Sequence, residues 1–191
     1  IYDEVLIEPD VLLPDNEACL RLPGTDGKQK MSKSLGNCIY LADPEDVVRQ
    51  KIMSMYTDPD HIRVEDPGKI EGNTVFTYLD AFCTDEDFAE FLPDYSCLDE
   101  LKEHYKKGGL GDVKVKKFLL NVINKQLEPI RVRRKEYEQN IPLVYDILKK
   151  GTQEAYQVAQ QTLDEVKAAM KINYFDDQEL IKGQSEKYKE K

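Results

Sequence analysis

The feature that most restricts the fold of this chain is a stretch of apolar residues at helical spacing in its second half. After Asp112, a residue suited to begin a helix, apolar side chains recur every three or four positions. These residues are Val115, Leu119, Val122, Ile123, Leu127 and Ile130. They predict a long amphipathic helix, and Pro129 inside the pattern predicts that this helix kinks or splits.

Comparable patterns, bounded by residues that start and stop helices, predict further helices on both sides. Asp43-Pro44 followed by acidic residues is typical of a helix start, and Gly108-Gly109 after two lysines is typical of a helix end. The predicted helices cover about 43–56, 72–82, 85–92 and 96–107, then 142–151, and a last one that Thr152 caps. We therefore expect a mostly α-helical region over 43–176. Residues 177–191 are polar and rich in lysine, so we expect a disordered tail there.

The first 42 residues differ from the rest. Two short apolar runs, at 5–7 and 18–22, favour β-strands, and the second leads into a glycine-rich loop over 24–37. In open α/β sheets, ligands bind beyond the carboxyl ends of the strands. The loop therefore occupies a position where a ligand site is expected.

The composition of this loop suits a polyphosphate. Its glycines allow tight turns, and its lysines and hydroxyls can contact phosphate oxygens. The glycines are Gly24, Gly27 and Gly36, the lysines are Lys28, Lys30 and Lys33, and the hydroxyls belong to Ser32 and Ser34. A loop of this composition can also be a simple solvated turn.

The order Lys30-Met31-Ser32-Lys33-Ser34 resembles, residue for residue, the KMSKS loop of class I aminoacyl-tRNA synthetases. The residues after this loop resemble the tryptophanyl-tRNA synthetase branch of that family. The matching phrases are Met55-Tyr56-Thr57-Asp58-Pro59, Asp66-Pro67-Gly68, Glu71-Gly72-Asn73, Val75-Phe76, Tyr78-Leu79-Asp80-Ala81-Phe82 and residues 162–170. The resemblance runs from about Tyr2 to about Phe175. Tyrosyl enzymes share this architecture, so the choice of tryptophan depends on the downstream phrases alone.

The resemblance implies a fold and an activity. Residues 1–42 would be the C-terminal remnant of a Rossmann-like α/β nucleotide-binding domain that carries the KMSKS loop. Residues 43–176 would be a helical bundle of the anticodon-binding type. The whole enzyme would activate tryptophan with ATP and Mg²⁺ and transfer it to tRNA, as a cytoplasmic homodimer.

The resemblance also implies the site residues. Lys33 would be the principal catalytic residue, with Lys30 next and Lys28 as a weaker electrostatic neighbour. The expected ATP contacts are Lys30, Met31 through its backbone beside the adenine, Ser32, Lys33 and Ser34.

The second signature of the family, H-x-G-H, is absent. The only histidines are His61 and His104, and we expect both at the surface or at helix caps. We therefore predict a C-terminal fragment that lacks half of the ATP site and the tryptophan pocket, and that forms no aminoacyl-adenylate alone. Two alternatives stay open: a fragment of a tyrosyl-type enzyme, and a non-enzymatic helical interaction module.

The distribution of charge bears on the partners more than the net charge of −10 does. Residues 111–150 contain ten Lys and Arg against five Asp and Glu, so this segment carries +5 and the remainder −15. The predicted tRNA contacts are Arg131, Arg133, Arg134, Lys135, Lys149 and Lys150. The alternative is that these residues pair with glutamates at helical spacing.

Other classes of function lack support in the sequence. The four cysteines, Cys19, Cys38, Cys83 and Cys97, form no C-x-x-C pair, so we expect reduced thiols and no metal site. No apolar run approaches the ~18 residues of a membrane span, and no secretory signal pattern opens the chain. We expect no membrane partner.

Overall fold

The structure, a computed structural model, describes residues 5–189. It divides into a central unit, Leu13–Glu138, and a second unit that comprises residues 5–12 and 139–189 of the described chain. Within the described residues a 3₁₀ turn, Glu17–Cys19, precedes seven α-helices. The helices are α1 (Glu45–Met53), α2 (Thr74–Phe82), α3 (Asp85–Phe91), α4 (Leu98–Lys107), α5 (Asp112–Glu138), α6 (Ile141–Ala169) and α7 (Gln178–Lys189).

The prediction of a mostly α-helical chain is confirmed, but the two predicted strands are wrong. Over residues 5–189 the only β-type pairing is an isolated antiparallel bridge between Pro23 and Lys30. The run at 5–7 is irregular, and the run at 18–22 partly belongs to the 3₁₀ turn. A strand requires a neighbouring segment to exchange backbone hydrogen bonds, and no described segment pairs with either run.

The core of the central unit forms around α5, against which α1, α2 and α3 pack. The predicted stripe on α5 is buried from Val115 to Leu127, whereas Ile130 is 39% exposed. The rings of Phe88 on α3 and Phe118 on α5 lie 4.6 Å apart between centroids. Helix α5 therefore supplies the surface on which the shorter helices are arranged.

Helix α5 is not split at Pro129, because it continues to Glu138. Proline removes one backbone hydrogen bond from the helix. Arg131, two residues after this proline, holds the helix to neighbouring groups by side-chain bonds. Arg131 donates from Nε to the Asp43 carbonyl at 2.9 Å and from Nη2 to Asn124 Oδ1 at 2.5 Å.

A buried polar cluster joins α4, α5 and the segment after α1. Asp112 accepts hydrogen bonds from the hydroxyls of Thr57, at 2.8 Å, and Tyr105, at 2.7 Å. His61 Nδ1 lies 3.1 Å from the same carboxylate, and the His61 ring contacts the Tyr105 ring edge-on. The predicted surface position of His61 is therefore wrong: the side chain is 2% exposed. His104 is half-buried and contacts the Tyr95 hydroxyl.

The second unit differs from prediction in two places. One helix, α6, runs through Gly151 and Thr152, where the sequence predicts the end of one helix and the start of another. Residues 178–189 form α7 instead of a disordered tail, and its first turn is capped because the Asp177 side chain accepts from the Leu180 N–H at 2.9 Å. None of the helices described between residues 5 and 189 is long and apolar enough to cross a membrane.

Candidate nucleotide-binding loop

The loop over residues 23–37 forms a compact turn built by its own backbone. The Gly24 N–H donates to the Gln29 carbonyl at 2.7 Å, beside the Pro23–Lys30 bridge. The Gly27 N–H donates to the Gly24 carbonyl at 2.9 Å, and Gly27 has a φ of +69° that favours glycine. The loop therefore has a defined shape within this chain.

Two hydrogen bonds attach the loop to the helical core. The Tyr56 N–H, just after α1, donates to the Thr25 carbonyl at 3.1 Å. The Tyr78 hydroxyl on α2 donates to the Pro23 carbonyl at 2.8 Å. Burial is the main cause that raises the pKa of Tyr78 to about 12, with the nearby Cys38 and Asp26 adding to it. The loop also lies so close to α2 that a side chain at position 27 would not fit, since a Cβ on Gly27 would lie 2.5 Å from Thr74 Oγ1.

The end of α1, beside which Tyr56 lies, is itself fixed by a buried lysine. Lys116 Nζ donates to the carbonyls of Met53, at 3.0 Å, and Met55, at 2.8 Å. A cation at the C-terminus of a helix interacts favourably with the helix dipole. Burial lowers the pKa of Lys116. Helix α5 thus supports the loop indirectly, through the end of α1.

The predicted ATP contacts differ in exposure: Lys30, Lys33 and Ser34 are exposed, whereas Met31 and Ser32 are half-buried. Lys28, Lys30 and Lys33 are exposed, and none of them has an ion-pair partner within residues 5–189. The Ser32 and Ser34 hydroxyl oxygens are 2.8 Å apart, so one donates to the other. Met31, between Lys30 and Ser32, packs partly against the core. The core side of the loop is thus anchored, while its cations face solvent.

Three residues that organise the loop were missed from the sequence: Asp26, Asn37 and Tyr78. The Asn37 side chain is buried inside the loop and contacts Asp26 and the backbone on both sides of Met31. Burial opposes the ionisation of Asp26, but hydrogen bonds from Asn37 and from loop amides outweigh it and lower the pKa of Asp26. Asp26-Gly27 is a turn signal, whereas nothing near Asn37 in sequence indicates its contacts.

The chemistry available to the loop is the neutralisation and orientation of an anion. Lysine ammonium groups and serine hydroxyls match phosphate oxygens. In the described part of the chain, no group of three or more His, Cys, Asp or Glu side chains could hold a metal ion.

The six predicted tRNA contacts differ in how much of their charge is engaged. Arg131 is largely internal: its side chain is 10% exposed and bonds to Glu128 as well as to Asp43 and Asn124. Arg134 Nε lies 2.7 Å from Glu138.

Lys150 Nζ lies 4.0 Å from Glu154 in the second unit. Arg133, Lys135 and Lys149 are exposed and have no ion-pair partner among residues 5–189. The charge of the segment is therefore partly internal and partly free.

Arg131 and Arg133 line an open groove of about 860 Å³ in the central unit. Its walls also carry four carboxylates, from Glu45, Glu90, Glu128 and Glu136. Lys125, in the same groove, is engaged by Asp87 and Glu90 at 2.8 Å each, and these bonds raise its pKa. The groove is therefore mixed in charge and not a basic surface.

Comparisons with known proteins match most of this chain to one family. The model of the family described as tRNA synthetases class I (W and Y) matches residues 2–128. Tryptophan–tRNA ligase of Lactococcus lactis subsp. lactis (strain IL1403) is 59% identical over 174 residues, which is 91% of this chain and 49% of the relative. The Clostridium longisporum ligase is 58% identical over 91% of this chain and 48% of the relative. The chain thus spans about half the length of these curated relatives.

A solved structure shares the fold. Tryptophanyl-tRNA synthetase from Campylobacter jejuni, complexed with ADP and tryptophan, superposes with a TM-score of 0.62 at 27% identity. The match covers 78% of this chain and 43% of that one.

Proposed function

This chain belongs to the class I tRNA synthetases (W and Y), and on that premise we propose that it forms the C-terminal half of a tryptophan–tRNA ligase. In the whole enzyme, tryptophan and ATP form an aminoacyl-adenylate, and the aminoacyl group then passes to tRNA. Relatives at 58–59% identity that carry this name support tryptophan over tyrosine as the amino acid. In this proposal residues 1–42 complete the nucleotide-binding domain, and residues 43–176 supply a helical tRNA-binding part.

The observation that carries the proposal is the group of three exposed lysines on a folded, anchored loop. Lys28, Lys30 and Lys33 have no ion-pair partner among residues 5–189, so their charges are available to an anionic ligand. Lysines held on a hydrogen-bonded turn can bind an anionic substrate without a large rearrangement of the backbone. Lys33 and Lys30 are therefore proposed to bind the polyphosphate of ATP.

The chemistry of adenylation explains why cations at this place accelerate the reaction. The tryptophan carboxylate attacks the α-phosphorus, and pyrophosphate leaves with the electron pair of the broken bond. Negative charge grows on the leaving group in the transition state, so a fixed cation beside it stabilises that state more than the ground state. Lys33 is the principal contact, with Lys30 second and Lys28 a weaker electrostatic neighbour. Ser32 and Ser34 donate to phosphate oxygens, and the Met31 backbone contacts the adenine.

Magnesium enters as part of the substrate. Mg²⁺ in nucleotide sites is bound mainly by phosphate oxygens and water, with few protein ligands. The lack of a metal-binding cluster in the described residues is compatible with this arrangement.

The second part of the proposal concerns tRNA. Arg133, Lys135 and Lys149 are the better candidates for phosphate contacts, because Arg131, Arg134 and Lys150 have partners within the chain. Such contacts would be sequence-independent and sensitive to salt. Recognition of the anticodon bases would need further side chains that stack on splayed bases.

The experiment that tests the function compares Lys33→Ala with Lys135→Ala in the full-length enzyme that contains this sequence. Single-turnover adenylation is measured with tryptophan and with tyrosine. We expect Lys33→Ala to lower the rate with tryptophan about 100- to 1,000-fold, the usual effect of removing one preorganised donor, while the affinity for tryptophan stays the same. Lys135→Ala removes an equally exposed lysine outside the loop and should leave the rate within about twofold.

Three results would contradict parts of this proposal. An unchanged rate for Lys33→Ala would remove the loop from catalysis and favour a helical interaction module. A preference for tyrosine would reassign the amino acid. Tryptophan-dependent ATP–pyrophosphate exchange by the 191-residue chain alone would refute the proposal that the other half of the site is required.

A further inference from the structure

Asn37 lies at the centre of the loop, and both the oxygen and the nitrogen of its side-chain amide form hydrogen bonds within the loop. Its Oδ1 accepts the Ser32 N–H at 2.8 Å, and its Nδ2 donates to Asp26 Oδ1 at 3.2 Å and to the Lys30 carbonyl at 3.4 Å. The Asn37 backbone carbonyl also accepts the Thr25 N–H at 2.8 Å. The residue is 5% exposed. One side chain therefore joins the turn at 25–26 to the segment that carries the lysines.

The space around Asn37 is fitted to it. A Cβ on Gly24 would lie 2.1 Å from Asn37 Nδ2, so no other residue type at 24 leaves room for this amide. Asp26, its partner, also accepts the Lys28 N–H at 3.4 Å. The arrangement is a small hydrogen-bonded core inside a surface loop.

The points that Asn37 fixes are the backbone groups on the two sides of Met31. The Lys30 carbonyl and the Ser32 N–H are both bound to the Asn37 amide, and Lys33 comes directly after Ser32. The backbone positions from which the Lys30 and Lys33 side chains extend are therefore fixed by a buried residue. Displacing a reacting or binding group by about 1 Å can reduce a rate by roughly 100-fold.

We propose that Asn37, through its pairing with Asp26, is a positioning residue that holds the backbone of residues 30–33 in the geometry in which Lys30 and Lys33 contact ATP. The inference rests on the proposed function of the loop. In this proposal Asn37 does not contact substrate. Its role requires an amide whose nitrogen donates to Asp26 and whose oxygen accepts from the Ser32 N–H.

The direction of the amide gives an asymmetric test. Asn37→Asp replaces the Nδ2 donor with a second carboxylate oxygen 3.2 Å from Asp26, so two like charges face each other. Asp26→Asn keeps an oxygen that can accept from Asn37 and removes no donor. The double variant Asp26→Asn/Asn37→Asp reverses the pair: the new amide donates to the new carboxylate, which still accepts the Ser32 N–H. The bond to the Lys30 carbonyl stays lost, because a carboxylate cannot donate.

The expected order of rates follows from these contacts. In single-turnover adenylation by the full-length enzyme, we expect Asn37→Asp to be about 10- to 100-fold slower, Asp26→Asn a few-fold slower, and the double variant to recover the part of the loss that comes from the pairing of residues 26 and 37. The affinity for tryptophan should not change. Asn121→Asp, the same chemical change at an exposed position of α5, is the matched control.

A second measurement separates positioning from overall stability. In Asn37→Asp, hydrogen exchange of the Ser32 amide should accelerate, while amides of the helical core, such as that of Leu119, should keep their protection. In a Lys33→Ala background, Asn37→Asp should reduce the rate by much less than in wild type, because it acts through Lys33.

The outcomes distinguish this inference from the function on which it rests. If Lys33→Ala leaves adenylation intact, the proposed function fails. If Lys33→Ala is slow but Asn37→Asp is not, or if the double variant is no faster than Asn37→Asp, then the positioning role of Asn37 is refuted and the function stands. Equal loss of protection in loop and core would assign Asn37 to general stability and would also overturn the inference.

Discussion

Replacing Tyr78 with phenylalanine removes the hydroxyl that joins α2 to the loop and leaves the ring unchanged. The hydroxyl donates to the Pro23 carbonyl at 2.8 Å, and Tyr78 is 2% exposed. At neutral pH the variant loses one hydrogen bond, and the carbonyl of the half-buried Pro23 loses this donor. We expect the free energy of unfolding of the central unit to fall by about 1 kcal/mol.

At high pH the sign of this difference should reverse. The pKa of Tyr78 is raised to about 12 in the folded chain, mainly by burial, whereas an unfolded tyrosine has a pKa of about 10. The stabilisation from keeping the phenol neutral is fully present below about pH 10 and is lost as the pH rises toward 12. A difference of about two pKa units corresponds to roughly 2–3 kcal/mol. The two stability curves should therefore cross at about pH 11.

The assay is urea denaturation of both proteins at a series of pH values from 7 to about 12, followed by circular dichroism. Tyr137→Phe controls for the loss of one phenol, since Tyr137 lies exposed on α5. Its stability relative to wild type should not change sign with pH. If Tyr78→Phe and wild type show the same dependence on pH, the burial argument for Tyr78 is wrong.

Two further predictions concern the packing of the central unit. Gly68→Ala should lower its stability by about 1–3 kcal/mol in the same denaturation assay, because the added methyl group would lie 2.2 Å from the buried Tyr105 ring; Gly36→Ala meets no atom within 4 Å, so any loss there comes from its φ of +65° and not from a clash. Asp112→Ala should cost about 3 kcal/mol, since Thr57, Tyr105 and His61 lose their common partner. Asp112→Asn keeps one acceptor oxygen and should cost less than half as much; equal losses for the two variants would contradict the role of the carboxylate as acceptor.

The parts of the fold that the sequence predicts well are those set by neighbouring residues. Asn73 caps α2 by accepting the Val75 N–H at 3.1 Å, one residue from where the predicted helix opens. Gly108, with a φ of +84°, comes directly after the last residue of α4, as expected. Caps and left-handed glycines act over a few residues, so their signals can be recognised locally.

The parts that were missed depend on distant partners. Tyr78 and Pro23 are 55 positions apart in sequence, and His61 and Asp112 are 51 apart. No local pattern indicates that either pair meets. The burial of Arg131 has the same origin, because its acceptor on the Asp43 backbone is 88 positions away. Charge counts along the chain therefore overestimate the basic surface of residues 111–150.

The loop illustrates both cases. Its cations are apparent from residues 28–34 alone, and the family resemblance assigns them to a nucleotide. The means by which the loop keeps its shape is not apparent, since Asn37, Asp26 and Gly24 are ordinary turn residues in sequence. Only their distances indicate that one amide group organises the lysine segment.

Gly151 provides a direct test of the difference between the predicted and the observed second unit. A glycine that ends a helix adopts a positive φ, and alanine there is strained. Gly151 instead lies inside α6, is not among the glycines of positive φ, and a Cβ there would meet nothing within 4 Å. Glycine inside a helix is less favourable than alanine by about 1 kcal/mol.

We therefore expect Gly151→Ala to stabilise α6 by about 0.5–1 kcal/mol and to raise the midpoint of thermal loss of helical circular dichroism. Gly108→Ala is the opposite control, because it combines a φ of +84° with a Cβ position 2.3 Å from the Glu65 carbonyl oxygen. It should destabilise the central unit in the same experiment. If Gly151→Ala also lowers the midpoint, then α6 is broken at this residue, as the sequence pattern predicts, and the continuous helix is refuted.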